Sequence, residues 1–169
     1  MFKLFLDKSL AHDGRVVLTD FGLSKIIGAT IHTVTMRMGG TPNYMAPEQA
    51  LTDTAGLHTD IYSLGVVLFE LLTGQLPFKG VTAYATIEKH VRESPPRLSN
   101  LRPDLPRVVA RGLDRVLFKA MAKDPADRFQ TVDEFEEALN AAFEGRPIPH
   151  VSMRPRLSPV TRRRITSGV

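Results

Sequence analysis

Between Ile61 and Leu72 the chain reads IYSLGVVLFELL, and wound as a helix this stretch is apolar on nearly every side. A helix of that kind is stable only when other elements surround it. Gly74, suited to the left-handed turn that ends a helix, closes the run, and Pro77 beyond it cannot extend it. The longest unbroken apolar stretch, Leu64 to Phe69, stops at Glu70, far short of the roughly 20 residues that span a bilayer. The chain is therefore expected to build a mainly helical body around one central helix, buried all round.

The remaining pattern supplies the elements to surround it. RVVLTD, Arg15 to Asp20, is β-branched and follows the turn signal HDG, so a short strand entered from a hairpin is expected. From Gly22 to Tyr44 no period holds, and a stretch of that length reads as a long functional loop. VTAYATIEKHVRES, ending at Pro95-Pro96, is an amphipathic helix candidate. Val109, Leu113, Val116, Leu117 and Ala120 recur at helical spacing between Leu105 and Met121. A last helix is expected after KDPADRFQ, with Thr131 and Glu134 as a capping box and Val132, Phe135, Leu139, Ala142 and Phe143 on one face.

A chain of 169 residues suits one domain able to bury roughly 70% of its unfolded surface. Its net charge of +4 is unevenly placed. Residues 1–144 hold 16 Lys and Arg against 18 Asp and Glu, whereas residues 145–169 hold six arginines, four prolines and no acid. That end reads as a basic disordered tail. Having no cysteine, the chain forms no disulfide or thiolate metal site, and a cytoplasmic location is expected. MFKLFLDKSL is interrupted by Asp7 and lacks a small-residue cleavage site, so it does not read as a signal peptide.

Four short blocks then occur in order: Asp20-Phe21-Gly22, GTPNYMAPEQ, DIYSLGVVLFELLTGQLPF and DPADRF. Asp-Phe-Gly alone is a weak signal. The four together resemble the C-terminal lobe of the eukaryotic-like serine/threonine protein kinases, and YMAPEQ looks most like their bacterial branch. The resemblance covers about residues 14–143. It divides the chain into an atypical segment at 1–13, a partial kinase domain at 14–144 and the tail at 145–169. It implies a C-lobe fold with a short N-terminal β element and a long activation segment, the N-lobe being absent.

The resemblance also implies roles. Phosphoryl transfer needs positioning and charge neutralisation, much of the latter from magnesium. Asp20 would give that ion a carboxylate oxygen, Phe21 would pack beneath it, and Gly22 would free the backbone to turn. Phe21 is equally a plain core residue. Thr30, Thr33 and Thr35 fall in the activation segment as candidate phosphorylation positions, or are solvated loop hydroxyls. Thr41 resembles the substrate-side threonine of serine/threonine kinases. Glu48 and Arg128 match a buried ion pair that ties the activation segment to the last helices. Asp60 has two readings, a helix N-terminal acid or an acceptor for catalytic-loop backbone.

The family's His-Arg-Asp loop would put its base near Phe2, which accepts no proton, and its second magnesium ligand near Asp7. Asp7 could ligate a cation or stand in an exposed turn. The glycine-rich loop, the strand lysine and its glutamate partner have no counterpart in this sequence, so the rest is expected before Met1, in unread DNA, a damaged gene or another chain. The abrupt onset of similarity at Leu10 to Asp13 reads as a shifted frame or a wrongly chosen start. ATP and magnesium are cofactors of the parent family, and their binding here is in doubt. The resemblance implies a partial kinase, inactive alone, whose parent moves the γ-phosphate of ATP to protein serine or threonine. The alternative is a non-catalytic, kinase-derived module that binds protein substrates or a partner kinase. The tail's arginines would be drawn to an anionic membrane surface, or would serve as a solvated linker. No aromatic residue follows Phe143 to stack on bases, so no specific nucleic acid is expected.

Overall fold

The computed structural model describes residues 3–5, 17–19, 42–52, 54–149 and 151. Strands β1 (Lys3–Phe5) and β2 (Val17–Thr19) pair antiparallel, with Leu4 opposite Leu18. The strand expected within Arg15 to Asp20 thus lies at its centre, and its partner comes from the segment read as atypical.

Six helices follow. Helix α1 (Pro47–Leu51) opens with proline at a position where no N–H is required, and the Ala46 N–H donates to Gln49 Oε1 at 2.9 Å. Helix α2 (Leu57–Thr73) is the apolar run, and it ends where Gly74 adopts φ 72° and its N–H donates to the Glu70 carbonyl. Helix α3 (Ala83–Arg92) is capped by Thr82, whose hydroxyl accepts from the Ala85 N–H, and it ends just before the two prolines. Helices α5 (Arg107–Ala120) and α6 (Val132–Phe143) are the two expected from periodicity.

Helix α4 (Leu98–Leu101) was not expected. Its cap comes from α5: the Asp114 carboxylate accepts from the N–H groups of Leu98 and Ser99, at 2.6 and 3.4 Å, and from the Ser99 hydroxyl at 2.7 Å. Asp114 is 4% exposed, an acid kept buried by this work.

The core forms where α2, α5 and α6 meet, and small residues set the distance between them. A Cβ on Gly65 would lie 2.9 Å from Ala120 Cβ, and one on Gly112 would lie 3.2 Å from Ala142. Around these contacts Ile61, Val66, Phe69, Leu113, Val116, Leu117, Phe129 and Phe135 are buried.

Three expectations change. Helix α2 is not buried all round: Ile61, Tyr62, Gly65, Val66 and Phe69 are covered, but Leu71 is 57% exposed, since the described elements pack on only part of the helix surface. The buried stripe of α6 is Phe135, Ala138, Ala141 and Ala142, with Val132 and Phe143 on the outside. The capping box is also displaced: Thr131 accepts from the Glu134 N–H, but the Glu134 carboxylate reaches past Thr131 to the Gln130 N–H at 3.0 Å. Past Gly145, Ile148 and Val151 pack against the core, the Ile148 side chain beside Gly112.

Because α2 and α5 touch through Gly65, a larger side chain there must push them apart. Gly65→Val is expected to lower unfolding free energy by about 1 to 3 kcal/mol in urea titrations, and an unchanged midpoint would refute the close-packing account.

Candidate functional site

The site is organised by one arginine. Asp124 caps a single turn of 3-10 helix, Pro125–Asp127, by accepting from the Ala126 N–H, and Arg128 follows with its side chain fully buried. Its guanidinium meets the Glu48 carboxylate as a two-pronged fork, Nη1 to Oε1 and Nη2 to Oε2, both at 2.7 Å. The other donors go to carbonyls: Nη1 to His58 at 2.7 Å, Nε to Ala122 at 2.8 Å and Nη2 to Lys123 at 3.4 Å. All five N–H groups are thus used, as a buried guanidinium requires, and a lysine could not reproduce the fork. The Tyr62 ring lies 4.9 Å from the guanidinium carbon.

Glu48 is 13% exposed and also accepts from the Thr59 hydroxyl at 2.8 Å. Burial pushes its pKa up, but the Arg128 fork, a backbone N–H and Thr59 together outweigh it and hold the carboxyl below its usual range. The segment before Glu48 is bound along α2 as well. The Ser63 hydroxyl donates to the Tyr44 carbonyl at 2.8 Å, and the Tyr44 hydroxyl donates to Glu70 at 2.7 Å. Residues 44–48 are therefore fastened at four places, three on α2 and one on Arg128.

Beneath the fork is a second polar group. Tyr62 and His90, both buried, share a hydrogen bond of 2.9 Å between the hydroxyl and Nδ1. Lys123 Nζ donates to the His90 carbonyl at 2.6 Å and lies 4.3 Å from the centre of the Phe78 ring. Desolvation, with Lys123 beside it, pushes His90 down to about 4, so it is neutral near pH 7. Desolvation and the nearby Arg128 bring Lys123 down to about 7. Tyr62, by burial, and Tyr44, by burial and its bond to Glu70, are pushed up, Tyr44 to about 12.

The structure thus brings Glu48 and Arg128 together. It places Asp60 in the first turn of α2, exposed, with its carboxyl raised by partial desolvation and accepting no hydrogen bond among the described residues. The capping contact there is made by Thr59, whose hydroxyl accepts from the Gly56 N–H at 3.2 Å. Asp7, Asp20, Phe21, Gly22, Thr30, Thr33, Thr35 and Thr41 lie outside the described residues. Among those described, no cluster of three or more His, Asp or Glu side chains is placed to hold a metal, and no helix is long and apolar enough to cross a membrane. Thr59, Tyr62, His90 and Lys123 were missed by sequence reasoning. The only available signal was the position of Lys123 in KDPADRF beside Arg128.

A sequence model of the family described as "Protein kinase domain" matches residues 4–143. The chain belongs to the protein kinase family. The match begins ten residues ahead of Gly14, inside the segment read above as atypical. Among curated relatives, the chain is 43% identical over 125 residues to the "Probable serine/threonine-protein kinase PknB" of Lactococcus lactis, covering 74% of this chain and 19% of that one. It is 38% identical over 133 residues to "Serine/threonine-protein kinase PrkC" of Bacillus subtilis, covering 79% of this chain and 20% of that one. It is 40% identical over 142 residues to "Serine/threonine-protein kinase PknA" of Mycobacterium tuberculosis, covering 84% and 31%. The chain thus spans a fifth to a third of the length of these relatives and is of the bacterial serine/threonine type.

Arg128→Met leaves the Glu48 carboxylate buried without its partner, and is expected to cost about 3 to 5 kcal/mol in urea unfolding. The Glu48→Gln, Arg128→Met double variant is expected to cost clearly less than the sum of the single changes, and strict additivity would refute the pairing.

Glu48, His90 and Lys123 all have folded pKa values below their unfolded ones, so the unfolded chain binds more protons and stability rises with pH through each range. Tyr44 and Tyr62 have the opposite sign, and stability falls once unfolded tyrosine ionises above pH 10. The urea midpoint is therefore expected to climb from pH 5 to about pH 10 and then decline, with Lys123→Met flattening the climb above pH 7. A midpoint that falls between pH 7 and 9 would contradict this.

Proposed function

We propose that this chain is the C-terminal lobe portion of a bacterial serine/threonine kinase domain, serving to hold an activation segment against a helical platform. The observation that carries this reading is the buried fork between Glu48 and Arg128, which fastens the Ala46-Pro47-Glu48 segment to the start of α2 and to the turn before α6. In this reading Asp20, with Phe21 and Gly22, supplies the carboxylate for magnesium beside ATP, and Asp7 is a weaker second candidate. Thr30, Thr33 and Thr35 are positions for activating phosphorylation, and Thr41 faces the protein substrate.

With Phe2 at the place of the base, the 169-residue chain lacks a group to take the proton from a substrate hydroxyl, so we infer that it transfers no phosphate unaided. A second reading, a binding module without chemistry, is favoured by α3. At its start Val81 and Tyr84 are 102% and 68% exposed, an apolar pair offered to a protein partner.

Joining the chain behind the glycine-rich loop, strand lysine and His-Arg-Asp loop of the Bacillus subtilis relative separates the two. The chimaera is expected to phosphorylate a serine/threonine peptide, with at least a hundredfold loss in Asp20→Ala. A chimaera that folds and shows no activity would leave the binding module standing.

A further inference from the structure

The outer side of α5 is basic from end to end. Arg107, Arg111 and Arg115 follow at four-residue steps, which aligns their side chains along one stripe of the helix, and the first two are exposed. Phe118 continues the stripe, and the Arg97 guanidinium lies 5.9 Å from the centre of its ring. The one acid of α5, Asp114, three residues after Arg111, is 4% exposed and its carboxylate is taken up by the cap of α4. None of these four arginines has an acidic partner among the described residues, whereas Arg92, Arg102, Arg128 and Arg146 each have one. Like charges at this spacing weaken a helix, so the stripe is a place where a counter-charge from outside would be favourable.

The shape of the face limits what that counter-charge is. The rest of α5 lies against α2, α4 and α6, so the arginines stand on a convex ridge. A ridge has no walls to enclose one phosphate group, but it can rest on a broad, densely anionic plane. Val108, 57% exposed beside the stripe, adds an apolar contact that the boundary between headgroups and acyl chains accepts. The course of the chain agrees. Gly145 lies against Val108 and Ile148 against Gly112, so the backbone crosses α5 along the edge of this face. After Val151 the sequence supplies Arg154, Arg156, Arg162, Arg163 and Arg164.

We propose that the exposed face of α5, formed by Arg107, Arg111 and Arg115 with Arg97 at its end, is a docking surface for a membrane of anionic phospholipid. The attraction reaches about one Debye length, roughly 10 Å at 0.1 M salt, so it weakens as salt rises.

The test is co-sedimentation of the full chain with phosphatidylcholine vesicles, with and without phosphatidylglycerol, at low and high salt. Binding is expected only with phosphatidylglycerol and mainly at low salt. Arg107→Gln/Arg111→Gln/Arg115→Gln, checked for an unchanged thermal melt, is expected to bind on the order of a hundredfold more weakly. A variant ending at Val151 is expected to retain salt-sensitive binding. If the triple variant binds like the parent, or the shortened one not at all, the arginines after Val151 carry the affinity and the proposal is wrong. Absence of vesicle binding, or tighter binding to duplex DNA than to vesicles at equal salt, would overturn it equally.

Discussion

Everything around the candidate site hangs on the burial of one guanidinium. Removing the Arg128 charge from water is costly, and the cost is offset only if every donor finds a partner. The fold meets that demand with one carboxylate and three carbonyls, drawn from the start of α1, the first turn of α2 and the turn after α5. Each of these segments is consequently fixed relative to the other two. The stacking of Tyr62 against the guanidinium carries the same constraint down to His90 and Lys123, so the two polar groups form one connected unit beneath residues 44–48.

That unit also explains why the apolar central helix carries Tyr62 and Thr59 among its buried residues. Helix α2 turns its covered side toward both kinds of neighbour. Gly65 admits α5, while Thr59, Tyr62 and Ser63 bind the segment leading to Glu48. The half-open side that bears Leu71 takes no part in either contact.

The helices were legible in the sequence because their signals are local. The period in α5, the Thr82 and Thr131 hydroxyls and Gly74 each act within a turn of the element they define. Helix α4 was not, since its cap, Asp114, stands 16 residues downstream and acquires meaning only when α5 folds back. The Tyr62, His90 and Lys123 group escaped for the same reason: its members are up to 61 residues apart and match no short pattern. Glu48 and Arg128 are separated by 80 residues, and family resemblance, not periodicity, pointed to them. Asp60 stands in the first turn of α2, as its reading as a helix N-terminal acid required, while its reading as an acceptor for the catalytic-loop backbone concerns residues outside the described part. The residues proposed for magnesium and for activation, Asp20 foremost, lie outside the described part, so that proposal rests on the sequence alone.

The 80-residue separation has a kinetic meaning. Contacts between α5 and α6 close a short loop, whereas the fork closes a very long one and must wait until α2 and α5 are already side by side. Residues 42–51 should therefore be the last part of the described core to dock on folding. By the same logic they should be the first to detach in partial opening, making this end of the lobe the natural place for exchange and cleavage to begin.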